Sequence, residues 1–157
     1  MGLLGRFFDE AVRDVSALGG FAFSGLMFFV LGLWSYVNRG NFTWLVIYFG
    51  GHVALVVVTI VMRIVHFKDR PQRMIHHTFL EKIEASSFPS LHAARGMFCA
   101  LVVGGILGGV GWYVLMGFVG SVVGISRVVL RKHDVVDVVF GLMLGVGVFV
   151  GLYYLVF

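Results

Sequence analysis

The chain has 157 residues, of which 59% are hydrophobic and 13% charged, with a formal net charge of +4 and a mean hydropathy of +0.97. A typical soluble domain carries roughly 25% charged residues, so this composition excludes a water-soluble globular fold and points to an integral membrane protein. The length suits one domain spanning 1–157, and the single cysteine, Cys99, excludes an internal disulfide. Basic residues are interleaved with acidic ones at the ends of apolar runs, so nucleic acid is not an expected partner.

Residues 1–16 place Leu4, Phe7, Phe8, Ala11, Val12 and Val15 on one helical face, with Arg6, Asp9, Glu10, Arg13 and Asp14 on the other. This pattern predicts an amphipathic helix that lies at the membrane interface and is too short and polar to cross. It is either an interfacial anchor beside a lipid entrance or a leader that floats at the surface. No small-residue cleavage site follows the first apolar run, so a removable signal peptide is not expected.

Five apolar runs follow, each close to the roughly 20 residues a spanning helix needs. They cover about Ala17–Val37, Asn41–Met62, Pro89–Leu107, Trp112–Leu130 and Val135–Phe157. The predicted fold is all-α, a polytopic membrane bundle of about five transmembrane helices plus the interfacial helix. Asn38-Arg39-Gly40 and Gly108-Gly109-Val110-Gly111 read as tight turns, and residues 63–86 as an extended polar loop. Gly104, Gly105, Gly108 and Gly109, then Gly141 and Gly145, then Gly147 and Gly151, stand at small-xxx-small spacing and predict close helix packing in lipid.

Alternating the direction of successive spans puts the N-terminal helix, the 63–86 loop, Ser90 to Arg95 and residues 126–137 at one membrane face. Of twelve Lys and Arg residues, Arg39 alone falls at the other face. The ionisable chemistry is therefore gathered in one layer.

Three clusters meet there. Arg63 and Arg70 stand seven apart, two helical turns, and guanidinium groups grip phosphate oxygens in a bidentate fork. Taken alone, a basic boundary facing lipid head groups explains them equally well. In Ser86-Ser87-Phe88-Pro89-Ser90-Leu91-His92, Pro89 suits a first helical turn, with Ser86 or Ser87 as the cap. Ser90, Leu91 and His92 would then lie among free backbone N–H groups, a natural phosphate cradle. In Ser126–Asp137, His133 and Asp137 stand four apart on one helix face. A carboxylate that fixes one imidazole nitrogen leaves the other free as a nucleophile or base, and a carboxylate at the start of a span needs a partner.

These clusters resemble the signature of the type-2 phosphatidic acid phosphatase superfamily, which includes vanadium haloperoxidases. That signature reads K-x6-R-P, then P-S-G-H, then S-R-x5-H-x3-D. This chain has Arg63-x6-Arg70-Pro71, Pro89-Ser90-Leu91-His92 and Ser126-Arg127-x5-His133-x3-Asp137. Arg63 replaces the usual Lys and keeps its charge. Leu91 replaces the usual Gly, a variation that resembles branches including inositol phosphorylceramide synthases, which transfer rather than hydrolyse.

The resemblance implies metal-independent hydrolysis of a lipid phosphate, with no cofactor. Arg63, Arg70, Arg127, Ser90 and the backbone near Leu91 would hold the phosphate. His133, oriented by Asp137, would form a phosphohistidine, and His92 would protonate the leaving oxygen and then activate water. Phosphatidic acid, phosphatidylglycerol phosphate and polyprenyl phosphates or diphosphates fit as substrates. A lipid phosphotransferase and a non-catalytic lipid-binding protein on the same fold remain alternatives. A metal site built from His66, His76, His77, His92 and His133 is disfavoured by their spacing. His52, in mid-span, reads as a buried hydrogen-bonded residue or part of a substrate path. The Lys/Arg bias predicts a multi-pass cell-membrane protein with its active-site face cytoplasmic.

Overall fold

A computed structural model describes residues 3–38, 41–71 and 78–157. Arg39, His76 and His77 lie outside the described residues. The described chain is helical, with α1 Leu3–Ala17, α2 Phe21–Val37, α3 Thr43–Val65, α4 Phe79–Ala85, α5 Leu91–Leu107, α6 Val110–Val129 and α7 Val135–Val156. By length and apolar composition α3, α6 and α7 each suffice to cross a bilayer. Helix α2 qualifies when joined to the end of α1 through a 50° bend, and α5 is apolar over 17 residues. The result is the polytopic helical bundle expected from composition, with most span boundaries within a few residues of the apolar runs.

Helix α5 is the axis of the bundle. It packs against α6, α7 and α3, and its small residues Ala93, Ala94, Gly96, Ala100 and Gly104 are buried. Helix α7 lies directly on its backbone. A Cβ at Gly141 would sit 2.5 Å from the Ser90 carbonyl oxygen, and one at Gly145 would sit 2.5 Å from that of Ala94. The small-residue pattern thus splits. Gly141 and Gly145 form this seam, Gly108 and Gly109 make the α5–α6 turn at φ +74° and +86°, and Gly147 and Gly151 face open space. Spacing alone did not separate packing glycines from exposed ones.

Three local expectations need correction. Residues 63–86 are not an unbroken loop, because α4 forms within them. Its start is fixed by a capping box: the Thr78 hydroxyl accepts from Glu81 N, and the Glu81 carboxylate accepts from Thr78 N. Helix α5 begins at Leu91, with Ser90 as its N-cap accepting from Ala93 N at 3.4 Å, so Pro89 precedes the helix. Ser86 and Ser87 do not cap it. The Ser86 hydroxyl accepts from Lys68 N, while Ser87 donates from N to Lys68 O and from its hydroxyl to Asp69 O. These two serines pin the segment after α3 against the approach to α5.

The N-terminal helix is amphipathic as predicted, with Phe7 and Phe8 exposed on its outer side. It does not merely float: its C-terminal end docks on α6, and Ser16 is buried there.

Candidate active site

The ends of α2, α3, α4, α5, α6 and the turn before α7 enclose a cavity of about 490 Å³. Its polar wall holds Arg63, Arg70, His92, Arg95, Arg127 and His133, together with Glu84. Its apolar wall is Phe21, Val56, Ile60, Leu80, Ile83 and Leu91. The three motif clusters, with Phe21 and α4, therefore converge on one chamber.

Arg63, Arg70 and Arg127 are each held by a backbone or hydroxyl oxygen. Helix α3 ends at Val65, so Arg63 lies in its last turn and Arg70 in the irregular segment beyond; the pair does not share a helix face. Arg63 donates from Nη1 to Ile83 O at 3.2 Å and from Nη2 to Pro89 O at 3.4 Å. Arg70 donates from Nη2 to Glu84 O at 2.7 Å. Ile83 and Glu84 are in the last turn of α4, where carbonyls lack intrahelical donors and carry the negative end of the helix dipole. The short helix thus presents two orphan acceptors to two phosphate-binding candidates. Arg127, in the last turn of α6, donates to the Ser16 hydroxyl at 2.6 Å, and both residues are buried.

His133 sits in the turn between α6 and α7, its backbone N donating to Arg127 O at 3.3 Å. Its Nδ1 is buried, without a hydrogen-bond partner, and lies 3.7 Å from Asp137 Oδ2. The predicted histidine–carboxylate pairing is thus a near contact, just beyond hydrogen-bond length. Asp137 is committed elsewhere. Oδ2 accepts from Asp134 N at 3.1 Å in the capping box of α7, and Oδ1 meets Lys68 Nζ at 2.7 Å. Burial, and then the positive charges of Arg70 and Arg127, push the His133 imidazole down to about 4 against the opposing pull of Asp137. At neutral pH the ring is therefore uncharged and keeps a lone pair. Burial alone would lower the Lys68 ammonium, but its hydrogen bonds to Asp137 and Asp134 and their charges outweigh that and raise it. Lys68 stays charged beside the carboxylate.

Helix α5 brings Leu91 and His92 to the cavity. Ser90 is fully buried behind them, its hydroxyl engaged with Ala93 N and its own N–H donating to Asp137 O at 2.9 Å. The second and third motifs are therefore joined backbone to backbone, and the cavity wall does not include Ser90 itself. His92 is walled on its far side by the α1–α2 elbow, where a Cβ at Gly19 would come 2.6 Å from the His92 carbonyl oxygen.

The other histidines are elsewhere. His66 packs its ring edge-on to Phe88 at 5.6 Å, outside the chamber. His52 Nδ1 lies 2.9 Å from Tyr48 O, and its Nε2 lies 3.9 Å from Cys99 Sγ. It is part of an interior polar cluster, and the cavity wall does not include it.

Four contributors lay outside the sequence reading. Lys68 takes the carboxylate expected to serve His133 alone. Arg95 lies three residues after His92, and a charge inside an apolar run was the available signal for it. Ser16 and the Gly19–Gly20 elbow carried no local signal, because their role depends on how α1 docks.

No solved structure matches this chain. The sequence model of the PAP2 superfamily, whose members are generally phosphatases acting on phosphate esters, does match it, over residues 44–157. That stretch contains the three clusters and the helices that hold them, and the chain belongs to the PAP2 superfamily.

Proposed function

We propose that this protein is an integral-membrane lipid phosphatase that hydrolyses a lipid phosphate monoester or diphosphate without a metal, through a phosphohistidine. The observation that carries this reading is the shared chamber. His92 and His133 line it with four guanidinium groups, and an apolar wall reaching into the spans completes it.

Arg63, Arg70 and Arg127 would hold the phosphate and stabilise the charge that grows on its oxygens in the transition state. His133 Nδ1 faces Asp137, leaving Nε2 to attack phosphorus; a P–N bond forms as the P–O bond to the lipid breaks. The incoming phosphate dianion favours the protonated form of His92, which gives its proton to the leaving oxygen. His92 then takes a proton from water, the water oxygen attacks phosphorus, and the P–N bond breaks to release inorganic phosphate. As the imidazolium of His133 develops, closing the 3.7 Å gap to Asp137 would stabilise it. The amphiphilic substrate would lay its tail along Val56, Ile60, Leu80 and Ile83.

Leu91 supports a second reading, because its side chain stands in the cavity wall where the superfamily pattern has Gly. An enzyme with a narrowed, apolar entrance could pass the phosphoryl group to an alcohol instead of water. We place the active-site face in the cytoplasm on the Lys/Arg bias, which accessibility of a C-terminal tag from the opposite side tests. The test of activity is phosphate release from detergent-dispersed phosphatidic acid in the presence of a chelator. Wild type releases phosphate and forms an acid-labile phosphoprotein, while His133→Ala loses both. Absence of release, or equal activity in His133→Ala and His92→Ala, refutes the phosphatase. Phosphate appearing on an added alcohol in place of water favours the transferase.

A further inference from the structure

Arg95 is the largest fully buried side chain among the described residues, with 1% of its surface exposed. It lies in the cavity wall, yet its Nε and Nη1 have no hydrogen-bond partner. Its guanidinium carbon sits 3.7 Å from the centre of the Phe21 ring. That contact offsets part of the cost of burial, but it leaves the Nε and Nη1 donors in the plane of the guanidinium unused. A buried cation with idle donors is expensive, and inside a membrane span more so. The charge is not needed to pack α5, whose neighbouring buried positions are Ala93, Ala94 and Gly96. Its donors are held ready for an anion that enters the chamber.

The position of Arg95 says which anion. His92 and Arg95 stand three apart on α5, so they share a face and are separated by about 4.5 Å along the helix axis. Arg63, Arg70, Arg127 and His133 surround the reacting phosphate at the membrane boundary. His92 serves the leaving oxygen, and Arg95 lies one step further along the helix from the boundary. A group bound at Arg95 is therefore attached on the leaving-group side of the scissile bond.

We propose that Arg95 forms a second anion subsite that binds the inner phosphate of a lipid diphosphate, making diphosphates the preferred substrates. This rests on the phosphatase reading above and names its substrate class. In the reaction, His133 bonds to the terminal phosphorus, and the bond from that phosphorus to the bridging oxygen breaks. The bridging oxygen keeps the electron pair and takes the proton of His92. The departing group is a lipid monophosphate, whose charge Arg95 holds, and water then releases the terminal phosphate from His133.

The test compares kcat/KM for farnesyl diphosphate and farnesyl monophosphate, which share one tail, in the purified full chain. Wild type favours the diphosphate. In Arg95→Met the diphosphate loses at least about tenfold more than the monophosphate, the scale of a lost charge-assisted hydrogen bond, and Arg95→Lys recovers part of the ratio. Equal losses on both substrates, or an unchanged ratio, overturn the second subsite while leaving the phosphatase standing. Phosphate release from neither substrate by wild type overturns the phosphatase and this inference together. An Arg95 effect confined to phosphatidylglycerol phosphate, whose second phosphate is spaced by glycerol, overturns the diphosphate assignment. A readout that needs no variant is inhibition of wild type: a farnesyl methylene-bridged diphosphonate inhibits more tightly than farnesyl phosphonate, and equal inhibition overturns the proposal.

Discussion

Replacing Lys68 with Met separates the roles around Asp137. The Lys68 Nζ–Asp137 Oδ1 distance is 2.7 Å, and the two side chains are 30% and 0% exposed. The same ammonium lies 3.1 Å from Asp134 Oδ2, a side chain that is 53% exposed. Breaking a fully buried pair costs about 3–5 kcal/mol, because the survivor is left charged and dry, whereas an exposed pair is worth about 0–1 kcal/mol. Lys68 sits between these limits, and Asp137 keeps the Asp134 N–H on its other oxygen. A coupling of about 2 kcal/mol between Lys68 and Asp137 follows, against under about 1 kcal/mol between Lys68 and Asp134. The assay is a pair of double-mutant cycles in mixed micelles, Lys68→Met with Asp137→Asn and Lys68→Met with Asp134→Asn, read by equilibrium unfolding at pH 7. Equal couplings in the two cycles, or a Lys68–Asp137 coupling below about 0.5 kcal/mol, refute the reasoning that burial of Asp137 makes this ion pair matter.

Three further outcomes are expected. Gly141→Ala puts a methyl against the Ser90 carbonyl and should destabilise by about 1–3 kcal/mol, whereas Gly147→Ala, which meets nothing within 4 Å, should be neutral or stabilising by up to about 1 kcal/mol; thermal melts of the two variants in one detergent decide it. Ser16→Ala removes the hydroxyl that holds Arg127 and should lower kcat/KM by about tenfold, with Ser16→Thr restoring most of it. Because His133 is held down to about 4, below the roughly 6.5 of a free imidazole, the unfolded chain binds more protons between those values. Stability should therefore be full above pH ~6.5 and fall by at most about 3 kcal/mol as pH drops through about 4. Unfolding of wild type against His133→Asn across this window measures the difference, and parallel curves would count against a depressed His133.

The sequence exposed the architecture and most of the chamber because both rest on local signals. Apolar runs of spanning length gave the ends of α3, α6 and α7 to within three residues. The motif spacing alone gathers Arg63, Arg70, Arg127, His92 and His133, all of which line the cavity. What escaped depended on tertiary docking. Helix α4 announced itself only through Thr78 and Glu81 inside a charged stretch, and its value lies in carbonyls that reach two arginines. Asp137 looked like a partner for His133 alone, since the loop that delivers Lys68 is pinned by Ser86 and Ser87 from 18 residues away. Those serines, read as caps for α5, have instead bonded sideways. Ser16 meets Arg127 across 111 residues, a distance over which no sequence pattern operates.

The seam between α5 and α7 has a consequence for how such a protein can diversify. It is built from main-chain atoms, with Ser90 N bonded to Asp137 O and glycines lying on the carbonyls of Ser90 and Ala94. The spacing between His92 and the Asp137 helix is thereby set at the main chain. Apart from Phe21, the apolar wall belongs to α3, α4 and the first residue of α5. Val56, Ile60, Leu80, Ile83 and Leu91 can therefore be exchanged for residues of other sizes while the reacting groups keep their register. On the phosphatase reading proposed above, a lineage can change which lipid it accepts by drifting on one wall, and its chemistry travels unchanged on the other.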